Sequence, residues 1–110
     1  MAKNLELRAE VRVPITHRAK VGMTSGWMPC LIQDFSTKGF RLMCDAKVSA
    51  GDILELRSEL YPERVLECKI EVRHISEDNL GTRIVEVSDT GAKLCKQFID
   101  EHVVLKKFRQ

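Results

Sequence analysis

From Arg12 onward, apolar and polar residues alternate in short runs separated by turn-forming clusters. In "VPITHRAKV", Val13, Ile15, His17, Ala19 and Val21 share one face, and Thr16, Arg18 and Lys20 share the other, as in a strand with one face buried. "GMTSG" supplies a turn, and "WMPCLIQ" resumes extended chain, in which Pro29 requires an edge or an irregular position. After "DFSTKG" comes "FRLMC", with Phe40, Leu42 and Cys44 on one side and Arg41 and Met43 on the other. "SAGD" is a further turn. "ILELRSEL" alternates again, with Leu54, Leu56 and Leu60 opposed to Glu55, Arg57 and Glu59. "YPER" interrupts the chain before "VLECKIEVRHI", whose inward set is Leu66, Cys68, Ile70 and Val72. "SEDNLG" then turns it into a short last strand, "TRIVEV".

The period changes in "SDTGAKLCKQFIDEHVVLKKF". Leu94, Cys95, Phe98, Ile99 and His102 recur at spacings of three and four, one face of a helix. Ser88, Asp89 and Thr90 are suitable caps, and Lys106 and Lys107 suit the negative end of the helix dipole. His102 falls on the packing stripe and is read as a core residue.

Six short strands followed by one helix predict an all-β fold with a C-terminal helix, a small antiparallel barrel closed or nearly closed on itself. The expected division of residues 1–110 is a leader over 1–12, the barrel over 13–87 and the helix over 88–108.

Composition narrows the function. The chain has 110 residues, 44% of them apolar and 31% charged, enough for one modest core. No apolar run approaches the roughly 18–20 residues of a membrane span, and "MAKNLELRAE" lacks the apolar region of a signal peptide, so a cytoplasmic location is expected. Cys30, Cys44, Cys68 and Cys95 are widely spaced and read as buried, reduced thiols, with no metal site. A net charge of +2 gives no field for wrapping DNA. Trp27 and Tyr61 alone do not make a base-stacking platform for RNA, since Phe35, Phe40 and Phe98 have core phase. Nucleophile elbows, phosphate loops and metalloprotease motifs are missing, so no enzyme is expected and no cofactor is implied.

What remains is binding chemistry in two short segments. "LRAEVRVP" holds Arg8 and Arg12, and Pro14 forces extended chain directly after them. In "DFSTKG", Asp34 and Ser36 are separated by one residue and would project from one face while Phe35 turns inward. Gly39 is expected to supply a backbone conformation that lets the chain turn sharply. Paired guanidinium groups grip phosphate oxygens and stack on purines. An Asp carboxylate accepts from the N1 and N2 hydrogens of guanine, a donor pair the other common bases lack. Ser donates or accepts at a base edge or a phosphate.

"RAEVR" followed by "DFSTKG" resembles the paired RxxxR and (D/N)xSxxG signature of the PilZ domain, a bacterial receptor for cyclic di-GMP. "AGDILEL", "CKIEVRHI" and "LGTRIVEV" extend the likeness over nearly the whole chain. The resemblance implies a six-stranded Greek-key barrel with a C-terminal helix and a ligand on its outer surface beneath a mobile N-terminal segment. It implies that Arg8 and Arg12 contact phosphates and guanines, that Asp34 and Ser36 engage a guanine, and that Gly39 keeps their turn open. Arg73, on the outward parity of its strand, is a further candidate contact. Leu7 stands where many relatives carry another arginine, which leaves open whether one or two dinucleotides bind.

The expected mechanism is ordering of the leader. With few apolar anchors it does not offset the entropy of being fixed, and the ligand's two phosphates supply the missing contacts. The altered surface would then signal to an effector protein in motility, adhesion or exopolysaccharide control. The alternative is a module of the same fold that binds a protein partner and no nucleotide.

Overall fold

The computed structural model describes residues 12–108, with side chains as far as Val103. Six strands form: β1 (Val13–Met23), β2 (Gly26–Phe35), β3 (Gly39–Met43), β4 (Ile53–Tyr61), β5 (Arg64–Ser76) and β6 (Asn79–Val87), followed by helix α1 (Asp89–Phe108). They close into an antiparallel barrel in the order β1-β2-β3-β6-β5-β4, with β4 returning to pair with β1. Placing β4 beside the β1-β2-β3 meander is the Greek-key arrangement. Closure leaves no open sheet edge. Pro29 is accommodated because β2 there runs beyond the end of β3, whose pairing begins at Leu31↔Met43, so its stretch is paired with β1 alone.

The inward sets read from the alternation form the core. Leu54, Leu56 and Leu60 on β4 and Leu66, Cys68, Ile70 and Val72 on β5 are all buried, with Phe35, Phe40 and Ile32 among the largest fully enclosed side chains. β6 and β4 each depart from the expected pattern at one place. β6 begins at Asn79, so "NLG" belongs to the strand and buries Leu80, and the turn shrinks to Glu77 and Asp78. Ser58 occupies the inward position between Leu56 and Leu60; its hydroxyl donates to the Arg18 carbonyl at 2.8 Å, which satisfies a polar group in an apolar layer.

Helix α1 covers one end of the barrel. Ser88 caps it, its Oγ accepting from the Gly91 N–H at 3.0 Å. Leu94, Cys95, Phe98 and Ile99 are buried, as their spacing predicts. Phe98 is the centre of the contact: its ring lies 5.4 Å from Phe35, 5.8 Å from Tyr61 and 5.5 Å from His17. His102 is half-buried and donates from Nδ1 to the Phe98 carbonyl at 2.8 Å, a packing role.

Candidate functional site

The site is built on the end of β2. Ile32 and Phe35 are both fully buried although they stand three positions apart, an odd spacing that strict alternation forbids. A register shift between Ile32 and Asp34 resolves the conflict: Ile32 pairs with Leu42 and Asp34 with Arg41, so β2 carries one extra residue. The bulge reverses the parity and turns Asp34 outward while Phe35 faces the core.

Asp34 then meets cations from both neighbouring strands. Arg12, immediately before β1, donates to Asp34 Oδ1 from Nη2 at 2.5 Å and from Nε at 3.1 Å. Arg41 on β3 brings its Nε to 3.5 Å from Oδ2. Both guanidinium groups are largely exposed, whereas the Asp34 side chain is only 21% exposed. The result is a shallow polar rim, Arg12–Asp34–Arg41, on the outer barrel surface.

Ser36 and Gly39 shape the turn beneath it. Ser36 does not project beside Asp34 as the spacing suggested: the chain leaves the strand after Phe35 and Ser36 is fully buried, its Oγ accepting from the Lys38 and Gly39 N–H groups at 3.1 and 3.2 Å while the Ser36 N–H donates to the Gly39 carbonyl at 2.9 Å. The hydroxyl thereby fixes the loop whose first residue follows Phe35. Gly39 is needed for a different reason from the one its motif suggested. Positive φ is confined among the glycines to Gly26 and Gly51. Instead, a β-carbon at Gly39 would lie 2.1 Å from the Thr82 carbonyl oxygen on β6. Close strand approach, and not a left-handed turn, demands glycine here.

Arg8 lies outside the described residues. Arg73 is exposed on β5, as its parity predicts, and its nearest acidic partner is Glu71, Nη1 to Oε1 at 3.5 Å. The structure does not join it to the Asp34 cluster. Across the sheet, Asp34 pairs with Arg41, Arg41 with Gly81 and Gly81 with His74, which puts an exposed His74 in line with the rim. Arg73 is the extra residue in the shift between Val72 and His74. Arg41 and His74 were not singled out as site residues from sequence. The signal for Arg41 was present: the short loop pairs Phe35 with Phe40, and antiparallel counting then sets Asp34 against Arg41.

Among the described residues no group of three or more His, Cys, Asp or Glu side chains is placed to hold a metal. No helix there is long and apolar enough to cross a membrane.

A closed Greek-key barrel with a capping helix and a cation–carboxylate rim on its outer wall defines a small β-barrel module with its polar site on the surface. The PilZ domain model matches residues 6–101, and the chain belongs to that family. Solved structures agree on the fold. The PilZ domain of YcgR from Escherichia coli with c-di-GMP is 14% identical with a TM-score of 0.77, covering 93% of this chain and 95% of that one. The inhibitor of motility MotI/DgrA from Bacillus subtilis is 19% identical with a TM-score of 0.79, covering 90% of this chain and 52% of that one. The chain thus spans about half the length of the latter protein. The PilZ domain of CeSA from a cellulose-synthesizing bacterium is 17% identical with a TM-score of 0.65, covering 87% of this chain and 98% of that one. Among curated proteins, none matches the chain significantly in sequence.

Proposed function

We propose that the protein is a cyclic di-GMP receptor that changes its N-terminal conformation on binding and passes the signal to an effector protein in motility, adhesion or exopolysaccharide control. One observation carries the reading: Arg12 of RxxxR and Asp34 of DxSxxG, 22 residues apart in sequence, are in direct contact through two hydrogen bonds. One residue from each half of the signature thus meets at the surface. Membership of the PilZ family and the c-di-GMP named with the YcgR domain support the choice of ligand.

In this reading Arg8 and Arg12 take the phosphates and the faces of the guanines. Asp34 keeps Arg12 on one oxygen and offers its remaining lone pairs to the N1 and N2 hydrogens of a guanine. Ser36 and Gly39 hold the turn that presents Asp34, and Arg73 is an outer contact. The protein acts as a binding module in the cytoplasm, with neither cofactor nor catalysis.

Calorimetric titration with cyclic di-GMP, run beside GTP and cyclic di-AMP, tests the proposal. Saturable heat with cyclic di-GMP alone is expected. A flat trace at tens of micromolar would leave the alternative, a protein-interaction module that binds no nucleotide.

A further inference from the structure

The barrel carries a second built surface at the opposite end of the β1–β2 hairpin. Asp34 pairs with Pro14, whereas Trp27 pairs with Gly22, eight residues further along β1. At a strand rise of ~3.3 Å per residue the two places are about 26 Å apart. The indole of Trp27 packs against Gly22 on β1, where the lack of a side chain leaves room for it. A β-carbon at Gly22 would sit 3.1 Å from one ring carbon of Trp27 and 3.2 Å from another. Trp27 as a whole remains 45% exposed, an unusual cost for the one tryptophan in the chain.

Cations surround it. Lys20 Nζ is 5.3 Å from the ring centroid and the Arg57 guanidinium carbon 5.9 Å from it. A groove of 620 Å³ runs from Trp27 past Lys20 to Arg18. The carboxylates nearby cancel only part of this charge. Glu67 pairs with Arg57 at 2.8 Å, and Glu59, which borders the groove, turns its carboxylate to the N–H of Glu63 at 2.8 Å. Glu55 lines the two adjoining clefts together with Trp27. Arg18 and Lys20, both exposed, have no carboxylate within 4.0 Å among the described residues.

We infer that the Trp27 groove docks an acidic segment of a partner protein, an apolar side chain resting on the indole and carboxylates meeting Arg18 and Lys20. An exposed aromatic with Lys20 over its ring and Arg18 along the same groove, neither within 4.0 Å of a carboxylate among the described residues, has the composition of an interface anchor. A single ring with Glu55 and Glu59 at its margins is poorly suited to a run of stacked bases and phosphodiesters, which favours protein over nucleic acid. The inference stands apart from the nucleotide reading, since among the described residues none of its side chains pairs with Arg12 or Asp34, and each can fail without the other.

Trp27 is the sole tryptophan, so its fluorescence reports on the groove directly. The probe is a short peptide of Glu, Asp and Leu, with a second peptide carrying Lys in place of every acid and an oligouridylate as comparators. The expected result is a saturable change in Trp27 emission with the acidic peptide alone, weakening about tenfold as salt rises from low to physiological ionic strength. The pair Arg18→Glu and Lys20→Glu should remove the response while leaving thermal unfolding and cyclic di-GMP titration unchanged. By calorimetry, Trp27→Ala should weaken the same peptide at least about tenfold. No response to the acidic peptide, an equal response to the basic one, or tighter binding of the oligouridylate would each overturn the inference.

Discussion

The α-hydrogen of Gly39 that a side chain would replace points at the Thr82 carbonyl, and a β-carbon there would come within 2.1 Å of that oxygen. The same contact ties β3 to β6: Thr82 Oγ1 donates to the Phe40 carbonyl at 3.0 Å, and the Ile84 N–H donates to the Lys38 carbonyl at 2.7 Å. An added methyl therefore has backbone on the other side and no flexible side chain to displace. Gly39→Ala should destabilise the barrel by about 1–3 kcal/mol through overpacking. Urea denaturation measures it, and a midpoint equal to that of the native chain would show that β3 and β6 can separate without loss.

Arg12 and Asp34 should behave in the opposite way. Their ion pair sits at the surface, and exposed pairs contribute roughly 0–1 kcal/mol. Arg12→Ala should leave stability within about 1 kcal/mol of the native chain yet weaken cyclic di-GMP at least about tenfold, equivalent to about 1.4 kcal/mol of binding. Asp34→Ala should do the same. Calorimetric titration paired with thermal unfolding separates the two effects. A variant that loses both together would make the ion pair a structural feature and not a binding one.

Much of the fold was legible because a two-residue period is a strong constraint. Leu66, Cys68, Ile70 and Val72 are buried as the alternation predicts, and the three-and-four spacing of Leu94, Cys95, Phe98 and Ile99 places the helix face. What alternation does not encode is the extra residue. The shifts at Pro14/His17, Ile32/Asp34 and Val72/His74 change which residues face each other without altering local composition. Arg41, by contrast, faces Asp34 in the unshifted register beside the loop, so counting back from the Phe35↔Phe40 pair would have found it. Gly39 was legible as a required glycine, but its reason was not, because Thr82 approaches from a strand more than forty residues away.

The four cysteines should be silent in the folded protein. All are buried and unpaired by disulfides. Burial pushes Cys30, and to the same height Cys68, from 9.0 up to about 12, and Cys95 up to about 11, in each case chiefly by removing the thiolate from water. A thiol reagent at pH 8 should modify none of them before unfolding and all four after denaturation. The raised values also set a pH dependence. The folded state favours the protonated thiols, so their contribution is complete below pH 9.0 and is lost as pH rises toward 12. Urea midpoints should fall across that alkaline window. Rapid reaction of one thiol at pH 8 would reveal an opening that the closed barrel does not show.

Helix docking should depend on Phe98 far more than on the polar contact beside it. Phe98 is buried against Phe35, Tyr61, His17 and His102, and Phe35 directly follows Asp34, so the helix supports the floor of the candidate site. Phe98→Ala should cost about 3–5 kcal/mol and lower the melting temperature by about 15 °C or more. It should also weaken cyclic di-GMP, because Phe35 loses its packing partner behind Asp34. Tyr61→Phe keeps the ring edge-on to Phe98 and removes only the hydroxyl that donates to Glu101 Oε1 at 2.6 Å. That bond, followed by one from Gln97, holds the Glu101 carboxyl below its ordinary value of 4.5. A lowered carboxyl contributes stability above pH 4.5 and loses it as acid protonates it. The gap between the native chain and Tyr61→Phe should therefore narrow below pH 4.5, while the deficit of Phe98→Ala should persist there. A Tyr61→Phe loss as large as that of Phe98→Ala would mean that the hydrogen bond, and not ring packing, holds the helix to the barrel.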